Sequence, residues 1–461
     1  MASGKPACVI LAAGQSKRMK SRLSKALHPL CGVPLLARVL RTLRELGASP
    51  IVTVVPPDAE EVAALAHEHG SQTCVQDEPL GTGHATLQAR PVLAGFGGTI
   101  LLTCVDIPLL RVETLRRLID HHCATDAGAT ILTAAYDDPT GYGRVVRDQE
   151  GRVTAIVEHR DADESVLAVR EINSSVYCFR SPLIFELAAQ LRSDNEQGEQ
   201  YLTDVIGALV AAGERVEALL AEDPQEVAGI NTRVQLAEAE RVLRDRIRER
   251  LMLDGVTLVD PETIYVDDDV QIGRDTTVWP CTFILGRTTV GSDCQIGPHA
   301  TVRDCDVGDG VLIRHGSLVT DSQVGDEATL GPFAHIRSGC TVGRHARAGS
   351  YVEMKAADLG EGAKVTHVAY LGDVTIGAGS NVGAGAITCN YDGARKHPTV
   401  IGKRAFIGSN VSLVAPVTIG DGAYIGAGST ITKDVPPGTL AVAREKQKTI
   451  EGWRPPRRDD E

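Results

Sequence analysis

The sequence predicts an α/β domain followed by a parallel β-helix, and two observations support this prediction. The first half of the chain alternates short apolar runs with amphipathic helical stretches, which is typical of a mostly parallel sheet covered by helices. The second half repeats an aliphatic residue every six positions, often followed by glycine, which is the sequence signature of a β-helix. A chain of 461 residues has room for two such domains.

The α/β pattern extends over residues 1–230. Strands are predicted at residues 8–13, 51–55 and 99–105, where the chain is continuously apolar. A helix is predicted over residues 34–47, because its apolar residues share one face and a glycine ends it. In such folds ligands bind at the carboxyl ends of the strands, so a site is expected there.

Residues 231–255 are rich in Ala, Glu, Arg and Leu and carry an apolar stripe on an otherwise charged helix. This segment is predicted to be a linker helix between two domains. A surface helix of the first domain is an equally good interpretation and is compatible with it. The β-helix domain is then predicted over residues 256–461, with a charged tail from residue 445 that we expect to be poorly ordered without a partner.

The clearest hexads lie in residues 401–431, where six branched aliphatics recur at intervals of six: Ile401, Ile407, Leu413, Ile419, Ile425 and Ile431. In a β-helix these side chains point inward and stack between coils, and three hexads make one coil of a triangular prism. The register extends back to residue 290 and falters over residues 342–376. The polar, turn-rich stretch 388–400 is predicted to be a loop that leaves the prism.

Composition excludes several classes of function. The net charge of −13 argues against nucleic acid as a partner. The N-terminal apolar run is too short for a signal peptide, and nothing approaches the length of a membrane span. Eleven cysteines, scattered without CxxC spacing, favour reduced thiols over disulfides or a zinc site. We therefore expect a cytoplasmic protein without a membrane partner.

A basic loop follows the first predicted strand. Five of the twelve residues from Gly14 to Lys25 are Lys or Arg and none is acidic, which predicts a polyphosphate site where backbone N–H groups and cations face the anion. The loop contains neither a Walker P-loop nor GxGxxG, and a solvated basic loop is the alternative. Asp106 ends the strand 99–105 and is a candidate Mg²⁺ ligand, or otherwise a turn former before Pro108.

Several motifs occur together in one order: LAAG at 11–14, SKALH at 24–28, LGTGHA at 80–85, DIPL at 106–109, PTGYGR at 139–144, VEH at 157–159 and EIN at 171–173. Together they resemble the motifs of sugar-nucleotide pyrophosphorylases. With the hexads added, nearly the whole chain is similar to the bacterial bifunctional N-acetylglucosamine-1-phosphate uridyltransferases/glucosamine-1-phosphate acetyltransferases. The resemblance implies a Rossmann-like nucleotidyltransferase domain, a left-handed parallel β-helix, and a homotrimer with the second site between subunits.

The resemblance also implies roles for the first site. Nucleotide and phosphate contacts are implied for Leu11, Ala12, Ala13, Gly14, Arg18 and Lys25, and contacts with uracil for Gln76, Gly81 and Thr82. Contacts with the sugar are implied for Gly143, Glu158 and Asn173, and Mg²⁺ binding for Asp106 and Asn231, with Asn231 also in the UDP-sugar site. UTP and N-acetylglucosamine 1-phosphate are the implied substrates.

The chain departs from the family pattern at three places. Val105 stands where the family usually has Gly before the metal-binding Asp, Ser24 replaces a usual Pro, and Ser174-Ser175 replaces Thr-Gly. A side chain at residue 105 could crowd the nucleoside, so the contacts of Cys104 and Val105 are in question.

A second site is indicated in the β-helix, because the interior of such a fold gains nothing from Lys355 and His367. Histidine is a natural general base near neutral pH, and Lys355 with Arg337 could bind a phosphate; a structural histidine is the alternative. The resemblance implies that His367 is the base. It implies glucosamine 1-phosphate binding by Arg337, Lys355, Tyr370 and Asn381, and acetyl-CoA binding by Ala384, Asn390, Tyr391, Ser409, Ala427 and Arg444.

The implied function is the synthesis of UDP-N-acetylglucosamine for peptidoglycan and other cell-envelope precursors, and hence for cell shape. Glucosamine 1-phosphate is acetylated with acetyl-CoA, and UMP is then transferred from UTP with release of pyrophosphate. One alternative is a sugar-1-phosphate nucleotidyltransferase whose β-helix only assembles or regulates. A second is a non-catalytic scaffold with both domains.

Overall fold

The computed structural model describes residues 4–454, and the chain forms two compact units, Met1–Asp245 and Arg246–Glu461. The predicted helix at 231–255 is present as Arg233–Leu253 and contains the boundary between the units. The division into 1–230, 231–255 and 256–461 therefore stays a prediction. Of the predicted tail, residues 445–454 are exposed and residues 455–461 lie outside the described residues.

The first unit contains eleven strands and eight α-helices in its described part, counting the helix that contains the boundary. The strands are β1 (Ala7–Leu11), β2 (Pro29–Leu30), β3 (Val33–Pro34), β4 (Ile51–Val55), β5 (Gln72–Val75), β6 (Thr99–Cys104), β7 (Ala129–Ala135), β8 (Arg144–Arg147), β9 (Val153–Val157), β10 (Glu171–Arg180) and β11 (Val216–Leu220). The helices are α1 (Leu35–Glu45), α2 (Glu60–Glu68), α3 (Thr82–Gln88), α4 (Val112–Thr125), α5 (Glu164–Leu167), α6 (Leu183–Ala188), α7 (Asp204–Ala211) and α8 (Arg233–Leu253).

The main sheet has the order β11-β7-β10-β6-β1-β4-β5, with β8 and β9 attached through β10. Strands β1, β4, β5 and β6 run parallel, whereas β10 is antiparallel to both of its neighbours. The predicted strands at 8–13, 51–55 and 99–105 and the helix at 34–47 are therefore confirmed as β1, β4, β6 and α1. Because β1, β4 and β6 are parallel, their carboxyl ends meet at one edge of the sheet.

The core of this unit lies around β1, whose five residues are all buried because helices cover both faces of the sheet. Helix α1 buries Leu36, Val39, Leu40 and Leu43 along one face. Each such side chain contributes about 1.5–3 kcal/mol on burial. This packing stabilises the strand ends on which the first candidate site is built.

The second unit contains the strands of the prism. These are β12 (Thr257–Leu258), β13 (Tyr265–Val266), β14 (Gln271–Ile272), β15 (Thr277–Val278), β16 (Phe283–Leu285), β17 (Thr289–Val290), β18 (Gln295–Ile296), β19 (Thr301–Arg303), β20 (Asp306–Val307), β21 (Leu312–Ile313), β22 (Leu318–Thr320), β23 (Gln323–Val324), β24 (Thr329–Leu330), β25 (His335–Arg337), β26 (Thr341–Val342), β27 (Arg347–Leu359), β28 (Lys364–Ile376), β29 (Asn381–Val382), β30 (Ile387–Cys389), β31 (Thr399–Ile401), β32 (Phe406–Ile407), β33 (Ser412–Val414), β34 (Val417–Ile419), β35 (Tyr424–Ile425), β36 (Thr430–Ile431) and β37 (Leu440–Ala441).

Most of these strands pair in parallel with the strand three places later, so three strands make one coil as predicted. Ile401 stacks on Ile419, Ile407 on Ile425 and Leu413 on Ile431. All six residues are buried. The aliphatic hexads therefore form three inward columns, one at each side of a triangular coil.

The hexad pattern falters in the sequence over residues 342–376, but the coil itself is not interrupted there. Ala348 stacks on Val365, Met354 on Leu371 and Leu359 on Ile376, all in register between β27 and β28. The pattern was obscured because Ala348 and Met354 are not branched aliphatics, although both fill inward positions. The predicted loop is present as residues 390–398, between β30 and β31. Within residues 4–454, no helix is long and apolar enough to cross a membrane.

Candidate active sites

The first candidate site is a cleft of about 660 Å³ at the carboxyl edge of the sheet of the first unit. Leu11 ends β1 and pairs with Cys104 at the end of β6, so the two strands deliver their following residues to one place. After Gly14 the chain makes a left-handed turn at Ser16 (φ 52°) and a 3₁₀ turn. The cleft is lined by eleven of the predicted residues: Leu11, Ala12, Ala13, Gly14, Arg18, Lys25, Gln76, Gly81, Thr82, Asp106 and Asn231.

The turn before α3 forms one wall of this cleft. The Nε2 of buried Gln76 donates to the carbonyl oxygen of Gly81 at 3.0 Å, and Thr82 Oγ1 accepts from the Leu202 N–H at 3.0 Å. Gly81 has φ 111°, and a Cβ added there would lie 2.6 Å from the carbonyl oxygen of Gln200. A side chain at residue 81 would therefore push this wall apart.

The candidate metal ligands converge although they are far apart in sequence. Asp106 follows β6, and Asn231 precedes α8. Their side-chain oxygens lie 2.7 Å and 3.0 Å from the ammonium of Lys25. Two oxygens that share one cation fit Mg²⁺, which is usually held by one or two carboxylates, water and substrate phosphates. The described residues contain no group of three or more His, Cys, Asp or Glu placed to hold a metal, so a metal at this point would have one carboxylate and one amide as its protein ligands.

The predicted sugar residues form a neighbouring group. A Cβ on Gly143 would lie 3.6 Å from Glu158 Oε1 and 3.6 Å from the Cβ of Asn173, so the three residues are adjacent. Glu158 Oε1 accepts from Thr203 Oγ1 at 3.2 Å. Burial raises the pKa of Glu158, and nearby carboxylates act in the same direction. Gly143 thus leaves space beside a poorly solvated carboxyl and an amide, which suits recognition of sugar hydroxyls.

The departures from the family pattern have structural consequences. Val105 is buried, lines the cleft, and donates its N–H to the carbonyl oxygen of Leu11 at 3.1 Å. Ser174 Oγ donates to the carbonyl oxygen of Leu132 at 2.6 Å. Ser175 has φ 62° in the bulge that follows Asn173, a conformation that favours glycine. The chain therefore keeps the bulge without the residue best suited to it.

The second candidate site lies on outer faces of the prism. Register places Arg337 beside Lys355, Glu353 beside Tyr370, and Ser350 beside His367 on adjacent coils. Arg337 also pairs with Glu353 at 2.6 Å. His367 is exposed, whereas Val365, Ala369 and Leu371 occupy the inward positions of the same strand. His367 therefore does not fill the interior of the coil.

The loop 390–398 folds back towards this face. Asn390 donates to Asp373, and the backbone N–H of Arg395 and the imidazole of His397 are among the groups that hold the pKa of Asp392 below its ordinary value. The ammonium of Lys396 lies beside Lys355 and lowers the pKa of that lysine. Two adjacent cations favour an anion between or beside them.

Four of the predicted acetyl-CoA residues, Ala384, Ser409, Ala427 and Arg444, form a row along one corner of the prism. The carbonyl oxygen of Ala384 accepts from the Asn410 N–H at 2.7 Å, and that of Ser409 from the Gly428 N–H at 2.8 Å. Arg444 donates to the carbonyl oxygen of Ala427. Asn381 is next to Lys364 in register, and Tyr391 is exposed on the loop. The row thus begins on the coil that follows His367.

Some residues at these sites were not predicted. Arg160, Gln197 and Glu199 also line the cleft of the first site, and Lys396 lies beside Lys355. Lys396 belongs to the loop that was predicted from its polar, turn-rich sequence. Its charge within that loop is the feature from which a role at the site could have been predicted. The other three lie in polar connections without a motif of their own.

Comparisons with known proteins agree with both halves of the chain. Residues 8–204 match the MobA-like NTP transferase domain family, and residues 398–433 match the bacterial transferase hexapeptide family. Proteins named "Bifunctional protein GlmU" are similar over nearly the full length. The one from Geobacillus sp. (strain WCH70) is 47% identical over 445 residues, covering 96% of each chain. The one from Exiguobacterium sp. (strain ATCC BAA-1283 / AT1b) is 48% identical, covering 96% of this chain and 98% of the relative. The one from Brevibacillus brevis is 48% identical over 95% of each.

Proposed function

The chain belongs to the family of bifunctional GlmU proteins, and from this membership we infer that it carries both steps that convert glucosamine 1-phosphate into UDP-N-acetylglucosamine. The first unit is the uridylyltransferase and the prism is the acetyltransferase. Its small-molecule substrates are UTP, acetyl-CoA and the two sugar phosphates. The product feeds the synthesis of peptidoglycan and other cell-envelope polymers.

In the uridylyltransferase site, residues 11–14 and Arg18 receive the nucleotide and its phosphates, with Lys25 as a further cation. Gln76, Gly81 and Thr82 read the base, and Gly143, Glu158 and Asn173 hold the N-acetylated sugar. The continuous cleft from β1 to α3 and the adjacent sugar group support this division. The sugar-phosphate oxygen attacks the α-phosphorus of UTP, the bond to the β-phosphate breaks, and pyrophosphate leaves.

Asp106 and Asn231 are the proposed ligands of Mg²⁺, because their oxygens already converge on one cation. When bound, the metal neutralises charge on the phosphates. The protein groups then act by position: Gly14 and Arg18 face the polyphosphate, and Asn231 is shared with the UDP-sugar site. Such phosphoryl transfer needs alignment and charge neutralisation more than an acid or base from the protein.

In the acetyltransferase site, Arg337, Lys355, Tyr370 and Asn381 bind glucosamine 1-phosphate, and His367 accepts a proton from its amine. The free amine attacks the thioester carbonyl of acetyl-CoA, the carbon–sulfur bond breaks, and CoA leaves as its thiol after protonation. The row from Ala384 through Ser409 and Ala427 to Arg444, together with Asn390 and Tyr391, holds the coenzyme.

The observation that favours two activities over a merely structural β-helix is that His367 is exposed, while Arg337 and Lys355 form a pair of cations on neighbouring coils of the same region. A prism that only assembles needs none of these groups. The test is a coupled assay with UTP, acetyl-CoA, Mg²⁺ and glucosamine 1-phosphate. Formation of UDP-N-acetylglucosamine supports both activities. If UDP-sugar forms only from N-acetylglucosamine 1-phosphate, the prism is structural, and if neither substrate reacts, the chain is a scaffold.

We also propose a homotrimer, because the three outer faces of the prism differ. One face has exposed Phe283, Leu318 and Ile387, and a second has exposed Phe406 and Tyr424, stacked at 5.4 Å, and Leu440. The third carries mainly polar residues, including Thr289, Asp306, Gln323 and Thr341 at successive outward positions. Exposed apolar side chains on two of the three faces suit contact with two neighbours around a threefold axis. Sedimentation of the full chain tests this, and a fully active monomer would contradict it.

We propose a cytoplasmic location, since both co-substrates are intracellular metabolites. All eleven cysteines lie within the described part of the chain, and none of them forms a disulfide there.

A further inference from the structure

The ammonium of Lys25 occupies the point on which the two candidate metal ligands converge. Its Nζ lies 2.7 Å from Asp106 Oδ2 and 3.0 Å from Asn231 Oδ1. The Lys25 side chain is 11% exposed, so its charge is held close to these oxygens with little access to water. The arrangement is that of a cation site filled by a side chain.

The backbones of the two residues that carry these oxygens are held independently of the lysine. The carbonyl oxygen of Asp106 accepts from the Ile230 N–H at 2.8 Å, which joins the two segments through their backbones. The Asn231 N–H donates to Gln235 Oε1 at 2.8 Å, and the Gln235 N–H donates to Thr232 Oγ1 at 3.2 Å, which caps α8. Both residues should therefore keep their positions at the cleft when the ammonium leaves.

A divalent cation and this ammonium compete for the same oxygens. Mg²⁺ binds oxygen at about 2.0–2.1 Å and keeps a shell of further ligands, so the lysine cannot keep both of its hydrogen bonds. The two positive charges also repel each other at such short range, where the protein screens poorly. Lys25 has a flexible four-carbon stem and lies in the same cleft as Gly14 and Lys17, where a triphosphate would offer a new anionic partner.

We propose that Lys25 is a tethered cation that fills the metal position of the nucleotide-free protein and moves onto the phosphates when metal and nucleotide bind together. This inference depends on the proposed metal site at Asp106 and Asn231. This movement makes metal binding and nucleotide binding mutually dependent. The metal displaces the ammonium from the two oxygens, and the phosphates of the nucleotide provide the anion with which the displaced ammonium pairs. Free divalent cation then binds weakly, and the complete site assembles only around a metal-bound nucleotide.

The test is a titration of the full chain with Mn²⁺, followed by electron paramagnetic resonance, without and with a non-hydrolysable UTP analogue. Lys25→Met should bind Mn²⁺ about ten- to a hundredfold tighter than the unaltered protein without nucleotide, because an ionic hydrogen-bonding competitor is gone. Lys17→Met removes the same charge from an exposed position of the same cleft and should change the affinity less than about twofold. The analogue should strengthen Mn²⁺ binding less in Lys25→Met than in the unaltered protein.

Unchanged or weaker Mn²⁺ binding by folded Lys25→Met, or an equal gain in Lys17→Met, would overturn the proposal. Lys25→Gln, which keeps a donor without the charge, takes the place of the Met variant if thermal melting shows that the latter is unfolded. Asp106→Asn separates the two levels of inference. If it binds Mn²⁺ normally, the proposed metal site itself is wrong. If it loses binding while Lys25→Met shows no gain, only the role of Lys25 is refuted.

Discussion

Replacement of His367 by alanine tests the base assignment most directly, because the structure predicts a large effect on rate and almost none on stability. The side chain is exposed and lies outside the inward columns of the prism. Exposed substitutions of this kind change the free energy of unfolding by less than about 0.5 kcal/mol. General-base catalysis is typically worth ~10²–10⁴ in rate, which corresponds to about 2.7–5.4 kcal/mol of activation free energy.

The assay follows release of the CoA thiol with glucosamine 1-phosphate as acceptor. His367→Ala should lower kcat by two to four decades, with acetyl-CoA binding, measured by calorimetry, little changed. Uridylyl transfer from added N-acetylglucosamine 1-phosphate should be unaffected. Added imidazole should restore part of the acetyl transfer, since the vacated position opens to solvent.

His345→Ala is the matched control. His345 is also an exposed histidine of the prism, paired with Glu327 at 3.1 Å, and no role is proposed for it. This variant should keep full acetyl transfer. A folded His367→Ala protein with near-normal acetyl transfer would refute the base assignment, as would a loss of activity that only parallels a lower melting temperature.

Three further predictions concern single residues. Asp106→Ala should lower Mg²⁺-dependent UDP-sugar formation by roughly three decades or more, because several kcal/mol of charge stabilisation are lost; acetyl transfer should persist, and equal loss of both activities in steady-state assays would contradict separate sites. Lys396→Met should raise the KM for glucosamine 1-phosphate about tenfold, since a cation that neighbours the proposed phosphate ligand Lys355 is removed; an unchanged KM would exclude Lys396 from the phosphate site. Ser175→Gly should stabilise the first unit by about 0.5–1 kcal/mol, because a left-handed penalty of about 1–2 kcal/mol is removed at some cost in chain entropy; calorimetry should show this, and Ser174→Gly should instead be destabilising because its hydrogen bond to the backbone is lost.

The sequence by itself determined the architecture of both halves. The inward columns of the prism follow from an aliphatic residue every six positions, a local period that only one arrangement of short strands can bury. This period is hard to recognise in the sequence where Ala348 and Met354 fill inward positions, because neither is a branched aliphatic. The predicted strands and the first helix of the α/β unit could also be recognised in the sequence. Continuous apolar runs and apolar residues on one helical face are local signals. Most site residues came from the family resemblance, which supplies order along the chain and no geometry.

Only the tertiary structure decided which groups meet. Asp106 and Asn231 are separated by much of the first unit, and the sheet topology and the cap of α8 bring their oxygens to Lys25. Lys396 meets Lys355 because the loop folds back over the prism. The outward direction of His367 follows from strand register, since a shift by one residue would have turned it into the core. Such contacts depend on distances across the fold, which local periodicity does not encode.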